Sequence, residues 1–425
     1  MDAVSTTGPA SGGRRSLAAV VSVVVVALAL VAGAVLPGTP RLGSGERVVG
    51  GAGVAAPAPG AASPQERLSA VQAVLDARGA AVRHDDARAY ARTQTAKAKA
   101  PLFARLAPLP FVRWAYTPAS PTTSTDSVVV VPVTLTMRFA GETADATWQE
   151  TVTLKKVSGA WKVVSEVSRG ERTALWDLGA IRVVTGSRSL VIGIDSPAST
   201  LRRYAATADR VVPQVSAVWG KGWSRYAVVV VPRTVAQLGR ALGRTAASLD
   251  GYAAVTTAEG SSSSGRAVAE RVWVNTPAMA ELSAVGRQVV LRHEMTHVAT
   301  AAPEHPDAPL WLVEGVAEWM GYRGSGIPLD VATGDLLDEV RRGRTPPALP
   351  DDAAFAGAAV DVAYESAHLA CAVIVARYGA ADLVALYRQV VIDGDDLSTT
   401  FQSLTGQPIA SLRKDWLARA RGLAS

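Results

Sequence analysis

Residues 292 to 319 read RHEMTHVATAAPEHPDAPLWLVEGVAEW. The run around its start, LSAVGRQVVLRHEMTHVATA, has the apolar spacing of a helix, with Ser283 placed as N-cap. Val285, Val289 and Val298 are expected to face a core. His293 and His297 stand four residues apart, so a helix projects both imidazoles from one face, one turn apart. Both can then reach one metal ion. Glu294 follows the first histidine and can contact a water on that ion rather than the ion itself. The chain has five histidines, so two at this spacing around a glutamate are not expected by chance. A catalytic zinc site usually takes three protein ligands and leaves one position open. The residues alone offer Glu304, His305, Glu314 and Glu318 as the third.

Pro309 suits the first turn of a second helix, PLWLVEGVAEWMGY. Trp311, Leu312 and Met320 can pack it on the first helix, and Glu314 and Glu318 share one face. The connecting EHPDAP reads as a loop. H-E-x-x-H is a metallopeptidase signature with this physical rationale. The metzincin extension of it is not met, because Thr300 stands at its glycine and Pro303 at its last histidine. HEMTH followed by WLVEGVA resembles the gluzincin peptidases, from about residue 270 to the C-terminus. In that group the glutamate of W-L-x-E-G-x-A is the third zinc ligand. The resemblance therefore implies His293, His297 and Glu314 as ligands and leaves Glu304 and His305 in the loop. The 16 residues between His297 and Glu314 are fewer than in the aminopeptidase branch. That departure argues against membership of the branch, not against the ligand set.

The same resemblance implies three further roles. Glu318 stands where the family often carries an acidic residue that orients a zinc-bound histidine. VAYESAHLACAVIVARYG resembles the helix whose tyrosine stabilises the oxyanion, which implies Tyr364. Glu294 is implied as the general base. Together these imply a zinc-dependent peptidase acting on a peptide or protein substrate, although two histidines and a carboxylate also suit other divalent ions. The G-x-M-E-N motif that anchors a substrate N-terminus in aminopeptidases is absent, which tilts the expectation towards endopeptidase action. The alternative, from another class, is a non-catalytic binding or scaffold protein that retains the peptidase fold.

Upstream, the pattern changes to strands. WDLGAIRVVTGSRSLVIGI reads as strand, turn, strand, and YAVVVVP as another strand, with helices between. GYAAVTTAEGSSSSGRAVAERVWVN reads as two strands around a serine-rich loop, and everything after Asn275 reads as helical. A small sheet ahead of a helical active-site region is a zincin-like layout, assigned to residues 179–425. Residues 65–178 begin with a helical region, expected to break near Gly79. VRWAYTP, SVVVVPVTLTMRFA, TWQETVTLKKVSG and AWKVVSEVS then read as strands, with a hairpin turn at Val157-Ser158-Gly159. That order of elements resembles the NTF2-like (SnoaL-like) α+β fold, here in a supporting role.

The N-terminus sets the expected compartment. Leu17 to Leu36 is an uncharged apolar run, long enough as a helix to cross a bilayer core of about 30 Å. Arg14 and Arg15 precede it, which places residues 1–16 in the cytoplasm and the rest outside. A cleaved signal peptide is the rival reading of the same run. Residues 37–64 read as a disordered linker rich in Pro, Gly, Ala and Ser. The expected fold class is thus α+β: an N-terminal transmembrane helix over 17–36, an NTF2-like domain, then a zincin-like metallopeptidase domain. The membrane, through residues 17–36, is an expected partner, and the expected location is the cell membrane, single-pass. Hydrophobic residues make up 48% of the 425, enough for real cores. The net charge of +6 is spread along the chain, and no nucleic-acid-binding motif is present, so nucleic acid is not expected as a partner. The lone Cys371 lies in an apolar run and reads as a small core residue.

Overall fold

The computed structural model describes residues 63 to 425, apart from 262 to 266, 303, 304 and 306. The helix Pro64–Arg83 comes first, capped by a reciprocal Ser63–Glu66 box. It runs unbroken through Gly79 and ends at His84, followed by Asp85 at φ 51°. Gly79 is there for packing: a Cβ would stand 2.6 Å from the carbonyl oxygen of Trp114 on the sheet beneath. Next come β1 (Gln94–Lys99), β2 (Phe111–Pro118), β3 (Thr123–Ser124), β4 (Val128–Phe139), β5 (Ala146–Val157) and β6 (Ala160–Ser168). They form one sheet in the order β1-β6-β5-β4-β2, with β3 on β4. Burial alternates along β4 because only one face of this sheet meets a core. The β5–β6 hairpin turns at Ser158 and Gly159, both at positive φ, as a two-residue primed turn requires.

The second sheet holds β7 (Ile181–Thr185), β8 (Ser189–Ile194), β9 (Ala227–Pro232), β10 (Ala254–Ser261) and β11 (Ala267–Val274), in the order β10-β11-β9-β8-β7. Its central strands β8 and β9 are buried at every position. That is why they read as near-continuous aliphatic runs. Val191, Val229 and Val231 join the core under the C-terminal helices, while Leu190, Ile192, Val228 and Val230 join the core shared with the first sheet. The second sheet is therefore the middle of three layers. Its contact with the first sheet also carries buried charge. Arg172 Nη2 reaches both carboxylate oxygens of Glu259 at 2.9 Å, and Arg271 Nε reaches Glu142 at 3.1 Å.

After Val274 the described residues contain helices and loops and no further strand. The three helices that matter for the site are Ala284–Thr300, Leu310–Tyr322 and Val360–Tyr378. Cys371 is buried in the last of them.

The expected transmembrane helix and single-pass membrane location require correction. Among the described residues no helix is long and apolar enough to cross a membrane, and residues 17–36 lie outside those described. The physical reason differs from helix to helix. Leu310–Tyr322 is strongly apolar but has only 13 residues, about 20 Å of rise. Ala198–Trp219 has 22 residues but carries Arg202, Arg203, Asp209 and Arg210. The fold is a mixed α/β arrangement without a membrane span among these residues. The serine-rich loop of residues 260 to 265 falls largely outside the described residues, as does Glu304.

Candidate metal centre

The Ala284–Thr300 helix starts where Ser283 accepts a hydrogen bond from the Gly286 amide at 3.0 Å. Its first turn is exposed, so Val285, at 42% exposure, does not join the core, whereas Val289 and Val298 do face inwards. From Val289 to Val298 every residue is buried. The helix is packed by the Leu310–Tyr322 and Ala198–Trp219 helices and by β10 and β11, which leaves it no solvent face over this length. Two glycines let the neighbouring helices close in. A Cβ on Gly321 would stand 3.1 Å from the Val289 carbonyl and 3.4 Å from His293 Cβ. One on Gly315 would stand 2.5 Å from the Ala367 carbonyl.

This packing brings three donors to one point. His293 Nε2 and His297 Nε2 are 2.9 Å apart. Glu314 Oε2 lies 3.3 Å from the first and 3.4 Å from the second. Ligand atoms on a tetrahedral zinc, each about 2.0–2.2 Å from it, stand about 3.3–3.5 Å from one another. The donor set fits such an ion in type, and both spacings to Glu314 match it, while the two histidine nitrogens stand closer together than a tetrahedral pair. His293, His297 and Glu314 are the one group of this kind among the described residues, and all three are buried.

Glu318, one turn after Glu314, places Oε1 3.0 Å from His293 Nδ1. The His293 ring is thus held at both nitrogens. A proton on Nδ1 facing Glu318 leaves the Nε2 lone pair for a metal. Burial pulls the His293 imidazolium down, but the adjacent Glu314 and Glu318 carboxylates outweigh it and push its pKa up to about 10. Burial raises the Glu314 carboxyl, yet His297 and His293 hold it below the usual range. The Glu294 carboxyl goes the other way: burial raises it against the pull of the two histidines and Thr256.

Glu294 is fully buried. Its Oε2 accepts the hydroxyl proton of Thr256 on β10, and its Oε1 has no hydrogen-bond partner. Tyr364 is buried as well, with its ring centroid 6.5 Å from that of His293 and its hydroxyl without a hydrogen-bond partner. Burial, then Glu314 and Glu318, hold that phenol well above its usual pKa, so it keeps its proton. Phe355 packs edge-on against Tyr364 at 5.1 Å. His368, one turn along, stacks on Tyr322 at 4.9 Å rather than joining the donors. His305 lies outside the cluster.

The structure therefore brings His293, His297 and Glu314 to one buried point, with Glu318 against the far nitrogen of His293 and with Glu294 and the Tyr364 ring buried nearby. Sequence reasoning missed Thr256 and Phe355. Thr256 sits in a strand with no motif, and Phe355 in a single 3-10 turn, Asp352–Ala356, so neither carries a local signal.

No protein-family model matches the chain, and no curated protein matches it. Solved structures do. One is a protein of unknown function from Mycobacterium tuberculosis, at 12% identity and a TM-score of 0.21, covering 25% of this chain and 78% of the other. Another is a candidate scytalone dehydratase from Novosphingobium aromaticivorans, at 13% identity and a TM-score of 0.19, covering 24% and 80%.

Proposed function

We propose that this protein is a zinc-dependent peptidase, with His293, His297 and Glu314 holding the ion and residues 65–178 acting as a supporting domain of NTF2-like type. The observation that carries the reading is the spacing of the three donor atoms, between 2.9 and 3.4 Å, beside a buried carboxylate with one unpartnered oxygen. Zinc, when bound, acts as a Lewis acid that acidifies water and polarises a carbonyl. Glu294 Oε1 takes the proton of the attacking water and returns it to the leaving amine. Tyr364 donates its phenolic hydrogen to the oxygen on which charge develops. Glu318 holds the His293 ring in the tautomer that presents Nε2. Zinc is proposed over other divalent ions because two histidines on an H-E-x-x-H helix with one carboxylate form a catalytic zinc set.

One observation favours a second reading, a non-catalytic protein holding a structural ion: the three donors are each at most 2% exposed. The test uses the full-length chain loaded with zinc, beside Glu294→Ala. Metal content is measured, together with hydrolysis of a mixed peptide library. The peptidase reading expects near-stoichiometric zinc in both proteins and activity reduced at least about 10²-fold in the variant. Equal activity in both would reject the role of Glu294. Zinc in both with activity in neither would establish the second reading.

A further inference from the structure

We propose that Thr256 is a positioning residue that holds the Glu294 carboxylate in place; this rests on the peptidase reading above. Thr256 lies on β10, the edge strand of the middle sheet, and is fully buried. Its hydroxyl donates to Glu294 Oε2. The competing acceptor, the Glu294 main-chain carbonyl, stands further off at 3.4 Å. Oε2 is thereby occupied, and Oε1 is the oxygen left for chemistry.

The arrangement addresses a specific problem. Glu294 is next to one ligand histidine and three residues from the other, on the same helix. A carboxylate so placed is itself a zinc ligand by chemistry. If it swung onto the ion, it would fill the open position and cease to be a base. Thr256 instead ties the carboxylate to the sheet, through β10 and its pairing with β11. The helix pair thus carries the ion's donors, while the strand sets the direction of the base. The next residue shows the same device on the opposite face: Thr257 Oγ1 donates to Glu259 Oε1 at 2.7 Å, facing the first sheet.

The test compares Thr256→Val, nearly isosteric but without the hydroxyl, with Thr256→Ser, which keeps it. Full-length proteins are loaded with zinc for kinetics and with cobalt(II) for visible absorption. The expected result for Thr256→Val is a fall in kcat of about 10²-fold with little change in KM, as for a misplaced catalytic group. Thr256→Ser should stay within about threefold of wild type, on the same ground of retained positioning. The cobalt band of Thr256→Val should weaken as the freed carboxylate joins the ion and raises its coordination number, and that of Thr256→Ser should not. An unchanged kcat per folded molecule in Thr256→Val overturns the proposal and leaves Thr256 a structural residue. Should zinc-loaded wild type hydrolyse nothing, the peptidase reading falls. The cobalt spectrum then decides alone: a band altered in Thr256→Val supports Thr256 as the group that keeps Glu294 off the ion, and an unaltered band overturns it.

Discussion

His293 is gripped from both sides, by Glu318 at Nδ1 and Glu314 at Nε2. The two carboxylates do opposite things to metal binding. They orient the ring, but they also stabilise its proton, to a pKa of about 10. A metal ligand must be a neutral imidazole, so the ion competes with that proton. The sign follows: His293 is protonated in the metal-free site at neutral pH, and zinc binding must release about one proton there. Affinity should weaken by up to about tenfold per unit as pH falls through the neutral range. Calorimetric titration of the metal-free protein in buffers of different ionisation heat counts the protons released. A count of zero at pH 7.5, or zinc occupancy unchanged down to pH 4, would contradict the assignment. The i, i+4 spacings that make this cluster possible were readable from residue numbers alone. Which nitrogen faces which carboxylate was not, because it depends on how two helices cross.

The Leu310–Tyr322 helix, which carries Glu314, packs closely on the Val360–Tyr378 helix because of a small residue. Gly315 sits between Glu314 and Val316 and faces Ala367 and Cys371 of the Val360–Tyr378 helix, with 2.8 Å from its would-be Cβ to the Cys371 sulfur. Gly315→Ala would therefore force the two helices apart. Chemical denaturation should show a loss of about 1–3 kcal/mol, the usual cost of overpacking, and zinc affinity should drop as Glu314 shifts. A variant as stable and as tightly metal-binding as wild type would show that the helices have slack. Gly79 makes the related point for the first helix. Read in isolation it predicts a break; in place it is the residue that lets the helix lie on the Trp114 carbonyl. Local propensity loses there to packing against a strand distant in sequence.

Across the molecule, the middle sheet is shared. One of its faces packs on the helices that carry the donors, and the other packs on the first sheet. The edge strand β10 belongs to both arrangements, through Thr256 towards Glu294 and through Glu259 towards Arg172. The Arg271–Glu142 pair across the sheets is almost fully buried, at 1% and 5% side-chain exposure. Removing one member of such a pair leaves a buried charge, so Arg271→Ala should cost about 3–5 kcal/mol in chemical denaturation. Replacing both by apolar residues, Arg271→Met with Glu142→Leu, should recover much of that loss. A loss below about 0.5 kcal/mol for the single variant would mean that water reaches the pair, as at a surface salt bridge.

The chain's own order of residues determined the two motif helices, the alternating strands of the first sheet and the fully apolar strands of the second. Each of these depends on periods of 2 or 3.6 residues, which are local. It also determined the donor types, since imidazole and carboxylate pairs four residues apart must share a helix face. Only the tertiary structure decided that Glu314 meets both histidines while Glu318 takes the far nitrogen, that Thr256 reaches Glu294 from a strand, and that Val285 stays exposed. Those contacts join residues up to 38 positions apart, as in the Thr256–Glu294 bond. Their formation depends on layer packing and helix crossing, which no local period encodes.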